Sequence, residues 1–259
     1  MLAERARRVA AAWDGSNAST AWREGYDPVA EEVQLPRGGL RSPADRKAFE
    51  DRNFVLRGTL AGSGPREGAI TWSAGAASTR PLMDAGTAYR ALARDRRGGG
   101  PHLTVTGAKL STMRMATSRG PATVPAWAFE LAGYASPLKR AAVTATTLPS
   151  PPTPPIKPAA DVPGYPVDRL VETAADGRSV TVIALHGACD DGAVVKVLET
   201  SGSVVLSASV KGHRAEANCT KQARMRHVTV QLKRPVDDRL LLDAHTGRPI
   251  VSRGTGGTA

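Results

Sequence analysis

Residues 149–166, PSPPTPPIKPAADVPGYP, place eight prolines in eighteen positions. Each proline removes a backbone donor and fixes φ, so neither a regular helix nor a central strand runs through such a segment. The expected form is an extended, semi-rigid polyproline spacer. It divides the 259 residues into an N-terminal domain over 1–148, a linker over 149–166 and a C-terminal domain over 167–253. Each domain is long enough to bury a core of its own.

The C-terminal half alternates with a period of two. In SVVLSASVK (203–211), Val204, Leu206, Ala208 and Val210 alternate with Ser203, Ser207, Ser209 and Lys211. In RHVTVQLK (226–233), Val228, Val230 and Leu232 alternate with His227, Thr229, Gln231 and Lys233. One buried and one wet face follow for each strand. The runs 179–186, 193–199 and 239–243 supply three more strands, and the simplest assembly is one five-stranded, largely antiparallel sheet.

Helix and strand mix in the N-terminal half. AERARRVAAAW places Ala3, Ala6, Val9, Ala10 and Trp13 on one helical face. Ser42 as N-cap, Pro43 at the first helical position and Asp45 behind it predict a second helix start. Asp84 caps a third, in MDAGTAYRALARD. Strand-like runs cover 54–60, 69–73, 103–110, 112–118 and 123–131, with SRGP (118–121) as a hairpin turn. Pro125 demotes the last run to an edge strand or a bulge. The fold class read from the whole chain is α+β, mainly β, in two domains.

Cys189 and Cys219 are the only cysteines. A hairpin of 193–199 with 203–211 brings the segments that carry them together, which favours a structural disulfide. Its loop would contribute roughly 3–4 kcal/mol and implies an oxidising compartment. Two free thiols, or a reactive thiol served by His186 or His213, are the alternatives. The spacing of zinc ligands is missing. CDDG (189–192) lacks the later oxygen ligands of a calcium loop and reads as a capped turn. Asp243 and His245 in LDAHTGR (242–248) sit as turn-cap residues with no nucleophile beside them. Neither a G-x-S-x-G elbow, a Walker loop nor a dinucleotide fingerprint is present. No cofactor, no metal and no catalytic residue is assigned, and the chain leans away from being an enzyme.

The formal charge is +11, with 21 Lys/Arg against 13 Asp/Glu in residues 1–150. Such a field draws an anionic envelope polymer, a lipid surface or an acidic protein. Without zinc-finger spacing or an aromatic RNA-binding strand, nucleic acid is not the expected partner. Trp13, Trp22 and Tyr26 lie close in sequence, and with Arg94, Arg96 and Arg97 they form the candidate binding surface, although core packing is the ordinary use of such aromatics. No run approaches the ~20 apolar residues of a membrane span, and MLAERARRVAAAW does not read as a signal peptide.

Three stretches are distinctive: AERARRVAAAWDGSNASTAWREGY (3–26), LTVTGAKLSTMRMATSRGPATVPAWAFELAGYASPLKRAAV (103–143), and CDDGAVVKVLETSGSVVLSASV running on to VTVQLKRPVDDRLLLDAHTGRPI. In these the chain resembles a family of actinobacterial secreted lipoproteins of unknown function. The resemblance implies a cell-surface or secreted, extracytoplasmic protein, with the cytoplasm as the alternative, and carries no catalytic residues with it. The expected function is a non-catalytic binding module of the cell envelope. The competing class is an extracellular enzyme acting on a cell-wall polymer.

Overall fold

A computed structural model of the protein describes residues 1–29, 31–60, 67–73, 75–93, 100–156, 164–213, 220 and 222–252. Helices α1 (Leu2–Trp13) and α2 (Asn17–Glu24) open the chain. Strand β1 (Val33–Gln34), helix α3 (Pro43–Glu50), strands β2 (Phe54–Leu56), β3 (Glu67–Trp72) and β4 (Ala77–Pro81), helix α4 (Ala85–Leu92) and strands β5 (Leu103–Thr117), β6 (Gly120–Leu131) and β7 (Leu138–Ala141) follow. The last strands are β8 (Arg169–Thr173), β9 (Ser179–Gly187), β10 (Asp190–Glu199), β11 (Ser203–His213), β12 (Ala223–Gln231) and β13 (Leu240–Asp243). The fold is mainly β with few helices, as expected. The chain forms two compact units, one from 1–29 with 146–259 and one from 30–145.

The 30–145 unit is built on β6. Strand β5 pairs with β6 along almost its whole length, from Val105 opposite Leu131 to Thr117 opposite Gly120. The expected strands 103–110 and 112–118 are therefore one strand, with an irregularity between Val105 and Gly107. On its other edge β6 pairs first with β3, at residues 122–123, then with β7, at residues 126–129. Pro125 falls between these two partners. Its carbonyl accepts from the Ala142 N–H at 2.8 Å. A strand residue points N–H and C=O to the same edge, so the missing donor faces the step where β3 gives way to β7. The expectation of an edge strand is corrected: β6 is central, and the proline sits where a ladder bond is not required.

Ser42 and Asp84 cap α3 and α4 as predicted, accepting from the Asp45 and Thr87 N–H groups at 3.0 and 2.8 Å. Ala48, Ala85, Ala88 and Leu92 from these helices pack with Trp127, Phe129 and Leu131 of β6. The Trp127 indole N–H donates to the Met83 carbonyl at 2.9 Å.

In the other unit the expected five-stranded sheet is two sheets of three strands, β10-β11-β13 and β12-β9-β8. They share one apolar core, to which Val180, Val182, Val204, Leu206, Val230 and Leu241 contribute. All pairs are antiparallel except β11 with β13. Strand β8 is absent from the sequence reading because RLVET has too few apolar residues to alternate.

Strand β11 is buried on both faces over Ser203–Ala208. The face expected to be wet is covered by α1, whose Ala6, Val9, Ala10 and Trp13 pack on Val205, Leu242 and Ala244. Ser203 and Ser207 are buried as a result. The domain boundary shifts for the same reason. Residues 1–29 complete the C-terminal unit, so 1–148 is not one domain. Nor are residues 149–156 a free spacer. Prolines lack donors but keep carbonyl acceptors, and here neighbours fill them. Trp22 Nε1 donates to Pro149 O at 3.2 Å, Arg5 Nη2 donates to Pro154 O, and the Ile156 N–H donates to His245 O at 2.8 Å. Residues 157–163 of the tract lie outside the described residues.

A buried ion pair closes the β10–β11 end. Arg239 Nη1 lies 3.0 Å from Glu199 Oε2, with side chains 5% and 10% exposed. Glu199 also accepts from the Lys233 N–H at 2.7 Å and the Arg234 N–H at 3.4 Å. Burial pushes the Glu199 carboxyl up, but the Lys233 N–H, the Arg239 side chain and the Arg234 N–H together hold it below its ordinary value. Its stabilising effect is complete above the unfolded value of 4.5 and is lost as pH falls through the lower folded one. Glu199→Gln should flatten the acid limb of a stability–pH curve measured by urea titration. Arg239→Ala, which strands a buried carboxylate, should cost about 3–5 kcal/mol at neutral pH.

Candidate functional site

The segment LDAHTGR folds back on the end of β13. Asp243 Oδ2 accepts from the Thr246 N–H and hydroxyl, each at 2.7 Å, and Oδ1 accepts from the Val167 N–H at 3.2 Å. The Gly247 N–H closes the turn on Asp243 O at 2.8 Å. His245 is buried and its Nε2 lies 2.8 Å from Ala208 O. A carbonyl only accepts, so Nε2 carries the proton. Asp243 caps the turn, as the spacing suggested, whereas the His245 side chain ties the turn to β11. Gly247 takes φ +68°, and a β-carbon there would stand 2.7 Å from Thr153 O.

This turn forms one side of a groove of about 400 Å³. The start of the proline tract, Leu148–Pro151, also lines it, with Trp22, Val167, Asp168 and Pro249–Val251. Trp22 is half-buried and stands edge-on to Trp13, with ring centroids 6.3 Å apart and planes at 77°. Asp168 pairs with Arg169 at 2.7 Å. Arg248 is exposed at the rim. The groove thus offers an aromatic edge, proline rings, hydroxyls and an exposed cation. In the 30–145 unit a second concavity of about 420 Å³ is lined by Thr106, Lys109, Glu130 and Tyr134. Lys109 and Glu130 pair there at 2.7 Å on the exposed surface. The hydrogen bond that Lys109 donates to Glu130, then the Glu130 charge, raises the Lys109 ammonium above its ordinary value.

The structure separates the residues expected to form one binding surface. Trp13 and Tyr26 are fully buried in the 1–29/146–259 unit. Trp13 Nε1 donates to Gly247 O at 2.8 Å, and the Tyr26 backbone exchanges bonds with Thr146. Both are structural, which corrects their assignment to a surface. Trp22 alone of the three reaches a groove. Arg94, Arg96 and Arg97 lie outside the described residues. The charge is divided as well: residues 30–145 hold 17 Lys/Arg against 9 Asp/Glu, while residues 1–29 hold 4 of each.

Cys189 lies in the turn between β9 and β10, and no cysteine among the described residues is free. Cys219 is outside them. Across the hairpin Asp190 stands opposite His213. Asp190 Oδ2 accepts the Gly187 N–H at 2.6 Å, the turn cap anticipated in CDDG. No cluster of metal-ligating side chains occurs among the described residues, and none of their helices is long and apolar enough to cross a membrane. The groove itself escaped the sequence reading. Its one local signal is Ser16, which caps α2 by accepting from the Ser19 N–H at 3.1 Å and so sets the position of Trp22.

No family model, curated protein or solved structure matches the chain.

Gly247→Ala should lower stability by at least about 1–2 kcal/mol, the cost of a left-handed residue with a β-carbon, because the new methyl also meets Thr153 O. Chemical denaturation checks this, and a neutral outcome would separate the turn from the proline tract.

Proposed function

We infer that the chain is an extracytoplasmic envelope protein that acts by binding, and that its 30–145 unit meets an anionic partner: an envelope polymer, a lipid surface or an acidic protein. The observation that carries this reading is the charge distribution. The excess of 17 over 9 in residues 30–145 is a net +8 in one unit, against +11 for the whole chain. A field of that sign and concentration gathers polyanions at the surface that bears it. The groove beside Trp22 adds a second, less charged surface to the same protein. The resemblance to secreted lipoproteins supports the compartment, and a Cys189–Cys219 disulfide belongs to this proposal because it needs an oxidising environment.

Retention of the full-length protein on purified cell envelopes tests the electrostatic part. Retention should fall steeply between 0.1 M and 1 M salt, where the Debye length drops from about 10 Å to about 3 Å. Absent retention at low salt, or equal retention at both, would overturn it. Intact mass after thiol alkylation tests the compartment. Natively secreted protein should take up label only after reduction, and two alkylated cysteines without reduction would remove the disulfide.

A further inference from the structure

Strand β12 ends its sheet: β9 lies along one side, and among the described residues no strand lies along the other. The direction of its backbone groups follows from one bond. The Leu232 N–H donates to Arg178 O, on the β9 side, at 2.8 Å. The ladder from Gln231 opposite Ser179 to Ala223 opposite Gly187 runs without a register shift. N–H and C=O groups alternate in direction along a strand, so even-numbered residues bond to β9. Met225, His227, Thr229 and Gln231 turn both backbone groups outward.

Side chains alternate with the same period. Val228 and Val230 face the shared core, so Arg224 and Arg226 extend along that face beyond it. Met225 and His227 stand on the opposite face. All four are exposed, Met225 at 66%. Arg226 stretches over the buried Gly192 of β10, where a β-carbon would stand 2.6 Å from its Nη1. Among the described residues neither Arg224 nor Arg226 is paired with a carboxylate. The strand therefore presents outward-facing donors and acceptors, two unneutralised guanidiniums on one face and an exposed thioether on the other.

We propose that the β12 edge receives an extended acidic peptide segment of another protein as an added antiparallel strand, its carboxylates opposite Arg224 and Arg226 and its apolar residues opposite Met225. Main-chain bonds would supply affinity, and the alternating side chains specificity. A second copy of this chain is the poorer occupant. Two β12 edges would bring arginine-rich strands together, and like charges across a ladder are unfavourable.

The test is fluorescence anisotropy of the full chain with a labelled, end-capped peptide of about nine residues, the length of β12, alternating Glu with Val and Thr. This peptide should bind. A peptide of equal charge with two central prolines should not, nor should one alternating Lys with Val and Thr. R224E/R226E should weaken binding roughly tenfold or more, as expected from reversing two cross-strand charge pairs. His227→Pro removes an outward N–H and leaves the β9 ladder intact, and it should abolish binding with little change in thermal midpoint. If that variant unfolds, a peptide N-methylated at alternate residues strips one edge of donors without touching the protein and should not bind. No binding of the Glu peptide, equal binding of the proline peptide, or undiminished binding to either the folded His227→Pro protein or the N-methylated peptide would each overturn the proposal. So would a wild-type dimer in sedimentation that His227→Pro dissolves, which would give the edge to a second copy.

Discussion

Two side chains of the first helix donate to carbonyls near the other end of the chain, and the 1–29/146–259 unit depends on them. Arg5 Nε reaches Ala244 O at 3.1 Å, and Trp13 Nε1 reaches Gly247 O at 2.8 Å. Both acceptors belong to the backbone around the β13 turn. Burying the Arg5 guanidinium works against its charge: desolvation, then Arg8, lowers its pKa while Asp243 raises it. The apolar face of α1 offsets that cost by covering β11. A buried arginine bonded to carbonyls is a specific fastener, because any slip of the helix leaves a charge without acceptors.

The same fastener explains why the sequence was legible in parts. Caps, turns and period-two runs are local, and they placed α3, α4, β9, β11 and the β5–β6 turn close to where they lie. The alternation in β11 also identified Val204, Leu206 and Ala208 as core. It failed for Ser203 and Ser207 because strand pattern alone does not reveal that a helix from the far end of the chain covers the second face. Pro125 failed for a related reason. The rule that proline avoids central strands assumes one continuous partner, and β6 has two in succession. Proline density does not by itself separate two domains, because the proline carbonyls remain acceptors, here for Arg5 and Trp22.

The candidate surfaces divide along the same lines. Tryptophans clustered in sequence served packing first: Trp13 became core, and only Trp22 kept an edge in a groove. The basic excess belongs to the other unit, so the aromatics of residues 13–26 and the net positive charge fall in different units. The β12 edge was invisible to a reading of composition. ARMRHVTVQ counts as an ordinary amphipathic strand until the sheet order shows which side of it has no neighbour.

Contacts that join residue 13 to residue 247 also set an order of events during synthesis. At about 5–20 residues per second, α1 leaves the ribosome roughly 10–50 s before the turn it fastens. Residues 30–145 form a continuous unit and are complete well before that. The nascent chain therefore carries a finished globule flanked by an amphipathic helix that has no partner. Its Ala, Val and Trp face stays exposed throughout, the condition in which chains recruit chaperones or associate with one another. The long-range closure of α1 on β11 and β13 is then the last step, and loop closure over such a span makes it slow relative to the local hairpins.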